Sequence, residues 1–415
     1  MRLLQKKSGF LCNPGFITCL QQILLMALIT LFVHCKKKIP EITQKECEEW
    51  FISTSGTGDH PVYQLQPQDV AVKLKNACRY GRMQPRDTSV TLSDSAGVQY
   101  ISGFYTPATI EKNKRYPLII YLHGGTGTTL NTKGERAWEM LKPLADRTPL
   151  FIVSPSASRT SQWWTSTGIS RILQTLRYMS LYFPIDPSKV FLAGVSDGAS
   201  GCYAVANTAS SLFAGFFAIS GYGGIIASTG MKVYPENIRQ RPIYNVNGEL
   251  DHLYPPRIVD SFLDYLENNG AQIIRKTYPL EQHGFNYREK EYDTLLTMIQ
   301  TWSRVKLMGN LWNIVEGYPN MTPFCLNWKY KSGQNQASVT TFTSSDTLVI
   351  RSKGLQKFIL RKEYPSEIKF ILCNESIIKP DLIDGTELSK LKINYLKYSC
   401  FPEITENEYL NVVPK

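Results

Sequence analysis

The segment Gly194-Val195-Ser196-Asp197-Gly198 combines residue types and spacing that imply covalent chemistry. It directly follows the apolar run Val190 to Ala193 and precedes the small residues Ala199-Ser200-Gly201-Cys202, which open a helical pattern. A serine in that setting sits on a tight strand-to-helix turn with its hydroxyl exposed, and a Cβ at either flanking glycine would collide with the neighbouring helix or strand. A serine hydroxyl is a weak nucleophile and needs a base. The chain has five histidines: His34, His60, His123, His252 and His283. His34 and His60 lie in the N-terminal region, and His123 ends a strand pattern, where a loop-ordering role fits better than proton transfer.

The strand, serine turn and helix setting resembles that of the α/β-hydrolases, which implies the chain order serine, then Asp or Glu, then histidine. After the strand pattern Ile243 to Val246 comes Asn247-Gly248-Glu249-Leu250-Asp251-His252-Leu253-Tyr254-Pro255, and after Ile273 to Tyr278 comes Gln282-His283-Gly284-Phe285. Asp251 and His283 therefore complete a triad with Ser196. His252 adjoins Asp251 and points elsewhere, and Glu249 is the fallback acid. Upstream, Tyr121-Leu122-His123-Gly124-Gly125-Thr126-Gly127 places glycines where backbone N–H groups turn toward a developing oxyanion. The expected donors are the amides of Gly125 and Asp197. The Asp197 carboxylate would oppose that oxyanion unless it points away or is paired. Trp163-Trp164 are a candidate aromatic wall of a substrate pocket, with a buried packing pair as the alternative.

These residues need a scaffold. Short apolar runs at Leu118 to Leu122, Leu150 to Val153, Val190 to Ala193, Gly215 to Ile219, Ile243 to Val246 and Ile273 to Tyr278 alternate with helical spacing in Ile169-Ile172-Leu173-Leu176-Met179 and in Tyr292-Leu295-Leu296-Ile299-Trp302. Near-continuous apolar strands alternating with helices predict an α/β fold, a doubly wound, mostly parallel sheet covered on both faces. Two antiparallel strands joined at Ala96-Gly97 lead into it. Residues 36 to 88 read as an extension and linker with one helix near Gln66 to Tyr80, and 89 to 305 as the catalytic domain. Residues 306 to 415, with strand patterns at 337 to 343, 347 to 351, 358 to 361 and 368 to 372, read as a small, mostly β accessory domain. The stretch Gly221 to Gln240 is long enough to overhang a pocket.

The 415 residues are 43% hydrophobic and 20% charged, with 28 Gly and 23 Pro, a composition that excludes collagen-like, coiled-coil and wholly disordered chains. The net charge of +11 is dispersed; no nucleic-acid partner is expected, and clusters such as Lys112-Asn113-Lys114-Arg115 and Arg361-Lys362 read as solvated faces. Nine cysteines show no CxxC spacing, so neither a metal site nor any other cofactor is predicted. Cys47 with Cys78 and Cys325 with Cys400 are candidate disulfides, and isolated buried thiols are the alternative. At the N-terminus, Arg2, Lys6 and Lys7 precede an apolar run from Ile23 to Val33, the layout of an export signal over residues 1 to 35. It resembles a bacterial lipoprotein signal with Cys35 as the lipidated residue, which implies an envelope protein held to the membrane by its lipid. His34 stands where such signals carry a small residue, so a signal anchor or free secretion are the alternatives.

Taken together, Tyr116-Pro117-Leu118 to Gly125, the lead Tyr182 to Val190 into Gly194 to Gly198, Phe213-Ala214 before Ile219-Ser220-Gly221, and Asn247-Gly248 with Asp251 and Pro255 resemble the predicted-esterase branch of the α/β-hydrolases. That branch includes polyhydroxybutyrate-depolymerase-like and feruloyl-esterase-like enzymes. The resemblance spans residues 89 to 305 and implies a serine esterase acting on a small-molecule or polymer ester through an acyl-enzyme. A prolyl-oligopeptidase-like peptidase and an inactive envelope binding protein are the alternatives.

Overall fold

The computed structural model describes residues 41–53, 60–82, 88–304, 311–321, 325–331, 336–362, 370–377, 385–403 and 408–412. Contacts divide the chain into two compact units, Met1–Ile42 and Thr43–Lys415, and every helix and strand named here belongs to the second. The export segment, the Ile23 to Val33 run and Cys35 lie outside the described residues, among which no helix is long and apolar enough to cross a membrane.

The first elements are helices α1 (Gln44–Ile52) and α2 (Pro67–Lys75). The sequence reading leaves α1 as linker, yet its start is encoded: Thr43 accepts from the Glu46 amide while Glu46 reaches back to the Thr43 amide, a reciprocal cap that satisfies two orphan donors. Eight strands then form the central sheet: β1 (Thr88–Ser93), β2 (Gln99–Tyr105), β3 (Tyr116–Leu122), β4 (Phe151–Pro155), β5 (Ile185–Val195), β6 (Gly215–Ile219), β7 (Ile243–Gly248) and β8 (Ile273–Tyr278). Their spatial order is β8-β7-β6-β5-β3-β4-β2-β1, parallel from β8 through β4 and antiparallel at β2 and β1. This is the doubly wound, mostly parallel sheet that the apolar runs predict. The chain leaves β3 for β4 on one side and returns to β5 on the other, so the β3/β5 boundary is a switch point, where a crevice opens beyond the carboxyl ends of the strands.

The alternation inside the runs assigns their faces. Leu118, Ile120, Leu122, Val190 and Leu192 pack on one side with α3 (Ser166–Tyr182), α4 (Asp197–Ala209) and α5 (Pro256–Asn268). Ile119, Tyr121, Phe191 and Ala193 pack on the other with α6 (Tyr287–Thr301). Both faces are apolar because both are covered.

After residue 310 the described strands are β9 (Leu311–Asn313), β10 (Cys325–Tyr330), β11 (Ser338–Ser344), β12 (Thr347–Lys353), β13 (Leu355–Lys362), β14 (Phe370–Cys373), β15 (Ser376–Ile377) and β16 (Glu408–Val412), with helix α7 (Gly385–Ser399). They make a five-stranded sheet, β9-β11-β12-β14-β15, and a three-stranded one, β10-β13-β16. The α7 helix is absent from the sequence reading. The region is not insulated from the main sheet: Val315, Met321, Cys400 and Phe401 join the core under α3 and α4, the Met321 amide donates to Thr208 O at 2.8 Å, and Arg177 Nε donates to Lys397 O at 3.0 Å. Cys47 and Cys78 are free thiols, so that candidate disulfide does not form, while the candidate pairing of Cys325 with Cys400 falls on a side chain outside those described; Cys47 and Cys400 are buried in cores, where cysteine packs as a small apolar residue.

One buried ion pair ties the β1–β2 hairpin to the sheet. Asp94 Oδ2 accepts from Arg171 Nη2 at 2.7 Å and Nε at 3.1 Å, with side-chain exposures of 2% and 1%. Its Oδ1 accepts from the Ala96 and Val98 amides of the turn, and the guanidinium lies over the Tyr100 ring. Two charges this deep are tolerable only with every lone pair engaged. Replacing Asp94 with Ala strands the Arg171 charge and is expected to cost about 3–5 kcal/mol of stability, read as a lower midpoint in urea denaturation.

Candidate active site

Ser196 lies between the end of β5 and the start of α4 with φ 55° and ψ −121°, a backbone conformation that costs a non-glycine residue about 1–3 kcal/mol. The surroundings hold it there. The Ser196 amide donates to Ile219 O at 3.0 Å, and Ser196 O accepts from the Ala199 and Ser200 amides. The glycines of the motif are steric necessities, since a Cβ on Gly194 would stand 2.2 Å from Gly198 O and one on Gly198 would stand 2.0 Å from Leu122 O. Nucleophile turn and β3 are thus in backbone contact, and Gly124 faces the serine itself: a Cβ there would meet Ser196 Cβ at 2.9 Å.

The structure brings the three predicted side chains together. His283 Nε2 is 3.0 Å from Ser196 Oγ and His283 Nδ1 is 2.8 Å from Asp251 Oδ2. A carboxylate only accepts, so Nδ1 carries the proton and Nε2 is left to accept from the serine hydroxyl. Asp251 is 1% exposed, and its other oxygen accepts from the Leu253 and Tyr254 amides, both at 2.9 Å; with His283, three donors satisfy the buried carboxylate and fix its position. Glu249 is engaged elsewhere, accepting from the Leu280 amide at 3.1 Å, and His252 is exposed. The fallback acid and the adjacent histidine therefore stand outside this chain of bonds. His60 caps the short helix Pro61–Gln64, its Nδ1 accepting from the Val62 amide.

The candidate oxyanion loop is built with equal care. Gly125 has φ 66°, the left-handed turn that glycine adopts freely, and its carbonyl accepts from Lys133 Nζ at 3.2 Å. Asp197 is the first residue of α4, so its amide has no intrahelical acceptor. Its carboxylate is both averted and paired: Oδ2 accepts from the Thr126 amide at 2.7 Å and Thr126 Oγ1 at 2.8 Å, and Oδ1 accepts from the Tyr254 hydroxyl at 3.4 Å. The charge that would oppose an oxyanion instead fastens the Gly124–Thr126 turn to the helix.

His123 orders this loop from behind. It is 4% exposed; Nδ1–H donates to Gly124 O at 3.0 Å and Nε2 accepts from the Ala157 amide at 3.1 Å, so the ring is neutral. Burial pushes its pKa down to about 4. Trp163 Nε1 donates to His123 O at 2.9 Å, and its Cβ lies where a Cβ on Gly201 would fall, 2.5 Å away. With exposures of 0% for Trp163 and 5% for Trp164, both rings belong to the core under the loop. In place of the expected aromatic wall the two pack in the core, the alternative kept in the sequence reading, with the Trp163 indole committed to the His123 carbonyl. The aromatic groups that do border the triad are Tyr254, whose ring meets His283 edge-to-face at 5.5 Å, and Tyr222, 6.3 Å from Tyr254. Sequence reasoning missed Thr126, Gly124 and Tyr254. Only the position of Tyr254, three residues past Asp251 and before Pro255, hinted at the last. Of the long stretch Gly221 to Gln240, its leading end reaches the site, whereas Met231, Tyr234 and Ile238 are buried in the core.

The sheet order, the serine turn and the sequence order of acid and base are those of the α/β-hydrolase fold. No family model matches the chain, and no curated protein matches it. Among solved structures it is similar to a thermostable esterase, with 20% identity over 52% of this chain and 63% of that one and a TM-score of 0.45. It is similar also to a puromycin-hydrolyzing peptidase of Mycobacterium tuberculosis, with 14% identity over 51% and 38% and a TM-score of 0.43. A ferulic acid esterase matches with 16% identity over 51% and 97% and a TM-score of 0.43. The chain thus spans under two-thirds of the first two structures, 63% and 38% of their lengths.

The neutral, buried His123 has a consequence for acid stability. Its folded pKa of about 4 lies below the ordinary 6.5, so between those values the unfolded chain binds the extra proton and stability falls as pH falls. That contribution is expected to approach about 3 kcal/mol by pH 4. His123→Asn, which cannot titrate, is expected to flatten this part of the stability profile measured by urea denaturation from pH 7.5 to 4.5, whatever its effect at neutral pH.

Proposed function

We propose that this protein is a serine hydrolase that cleaves carboxylic esters through an acyl-enzyme. The observation that carries the reading is the unbroken Ser196–His283–Asp251 relay, with spacings of 3.0 and 2.8 Å, mounted on a strained turn that a purely structural loop has no need of. In the first half-reaction Ser196 Oγ attacks the ester carbonyl carbon and its proton passes to His283 Nε2, while the carbonyl π electrons move to oxygen. Asp251 holds the imidazole in the Nδ1–H tautomer and stabilises the imidazolium. Collapse of the tetrahedral intermediate expels the alcohol, which takes the proton from Nε2. In the second half-reaction a water attacks the acyl-serine carbonyl as its proton passes to His283, and collapse breaks the bond to Ser196 Oγ, returns that proton to the serine and releases the carboxylic acid. The amides of Gly125 and Asp197 are the proposed oxyanion donors, each worth about 10²–10³ in rate by analogy with other acyl-transfer sites.

The rim supports an apolar ester. The four leucines exposed among the described residues, Leu130, Leu250, Leu253 and Leu280, all lie on loops that follow β3, β7 and β8 at the carboxyl edge of the sheet. Leu250, Leu253 and Leu280 sit on the loops that also carry Asp251 and His283, and apolar groups beside the triad suit an apolar acyl chain. The proposed setting is the cell envelope, with the mature chain held by lipid on Cys35; a fatty-acid label lost in Cys35→Ala tests it.

With p-nitrophenyl butyrate as substrate, Ser196→Ala is expected to lower kcat at least about 10³-fold, and a fluorophosphonate probe is expected to label the wild type and not the variant. Asp251→Asn is expected to lose about 10⁴ in kcat with KM little changed. Equal turnover by Ser196→Ala would refute the assignment, and faster cleavage of matched peptide amides than of esters would make the enzyme a peptidase.

A further inference from the structure

Tyr254 lies against the acid and the base of the candidate triad. Its amide donates to Asp251 Oδ1 at 2.9 Å, and its ring meets the His283 ring edge-to-face at 5.5 Å. Its hydroxyl donates to Asp197 Oδ1 at 3.4 Å, on the residue that follows Ser196. The position of that hydroxyl is informative. Asp197 Oδ2 is occupied by Thr126, the neighbour of Gly125, and the Asp197 amide is itself a proposed oxyanion donor. The Tyr254 hydroxyl and the oxyanion loop are therefore held by the two oxygens of one carboxylate, and at 3.4 Å the tyrosine's bond is long and weak.

We infer that the Tyr254 hydroxyl is a third oxyanion donor, a catalytic residue that leaves Asp197 for the substrate as the tetrahedral intermediate forms. The inference rests on the esterase reading above. As the Ser196 Oγ to carbonyl-carbon bond forms, the Ser196 proton goes to His283 and the carbonyl oxygen takes up the π electrons. Tyr254 Oη–H then turns from Asp197 Oδ1 to that oxygen and donates without giving up its proton. A carbonyl oxygen in the ground state is a weaker acceptor than the alkoxide, so the new bond favours the transition state over the bound substrate. Burial first, and then the Asp197 charge, hold the phenol pKa up at about 12; the group stays protonated, and so a donor, throughout the neutral range. Asp197 thus has a second use: its charge keeps the donor loaded and gives it a resting place.

Tyr254→Phe removes the hydroxyl while leaving the backbone bond to Asp251 and the ring face on His283. In the full chain, kcat for p-nitrophenyl butyrate is expected to fall about 10–100-fold with KM within about twofold. Inhibition by an aryl trifluoromethyl ketone, which adds Ser196 as a tetrahedral adduct, is expected to weaken by the same factor as kcat/KM. Rates are normalised to the fraction of enzyme labelled by a fluorophosphonate, so a poorly folded variant cannot mimic the effect. If kcat and ketone affinity stay within twofold of wild type, or KM alone rises, the inference is overturned while the esterase reading stands. If the wild type neither hydrolyses the ester nor forms the ketone adduct, both fall together.

Discussion

The constraint on which the site depends is the absence of room around one turn. Ser196 is held at positive φ because three strands converge on it: β5 delivers it, β6 accepts its amide through Ile219 O, and β3 presses Leu122 and Gly124 against its flanks. Nothing larger than glycine fits at 194, 198 or 124, so the motif is as much a record of packing as of catalysis. Interiors at crystal-like density transmit such constraints rather than absorbing them. The strain at the serine is therefore sustained by the whole sheet, and its precision comes from parallel strands whose positions are fixed by two apolar faces.

A second theme is how buried carboxylates are satisfied. Asp251 and Asp94 in the interior and the half-buried Asp197 each receive three or more donors, and Glu291, fully buried, receives Tyr244, Tyr278 and Lys276. Each pins two or more segments that are distant in sequence: Asp251 the β7 and β8 loops, Asp197 the β3 loop and α4, Asp94 the hairpin and α3. Such groups are costly unless every lone pair is engaged. Here they act as joints between loops that have few apolar contacts of their own.

Much of this was legible in the chain. The apolar runs at Leu118, Val190, Gly215 and Ile243 are buried on both faces, and their alternation with helical spacing permits little besides a covered parallel sheet. The order serine, aspartate, histidine after successive strands was enough to single out Ser196, Asp251 and His283 as the side chains that meet. What was hidden depends on separations the sequence does not display. The partner of Asp197 is Tyr254, 57 residues away, and no local pattern connects them. Trp163 and Trp164 sit in a loop pattern near the serine, and only the structure reveals that one indole is committed to the carbonyl of His123. Helix α1 was missed despite a readable Thr43-x-x-Glu46 cap, because its nine residues carry too little periodicity to outweigh the polar stretch that follows. Helix α7 was missed because it follows a run of strand patterns that biased the reading toward β structure.

The interdigitation of residues beyond 310 with the main core bears on how this protein could be trimmed or rebuilt. Arg177 and Ser180 on α3 bond to the carbonyls of Lys397 and Cys400, Tyr63 meets Asn394 at 2.5 Å, and Phe401 lies in the same core as the strands that carry the nucleophile. A gene fragment ending after α6 would bare a seam of apolar and hydrogen-bonding surface along the back of α3, the helix that also anchors the hairpin through Arg171. A minimal version of this chain would need that seam repainted, not merely cut along.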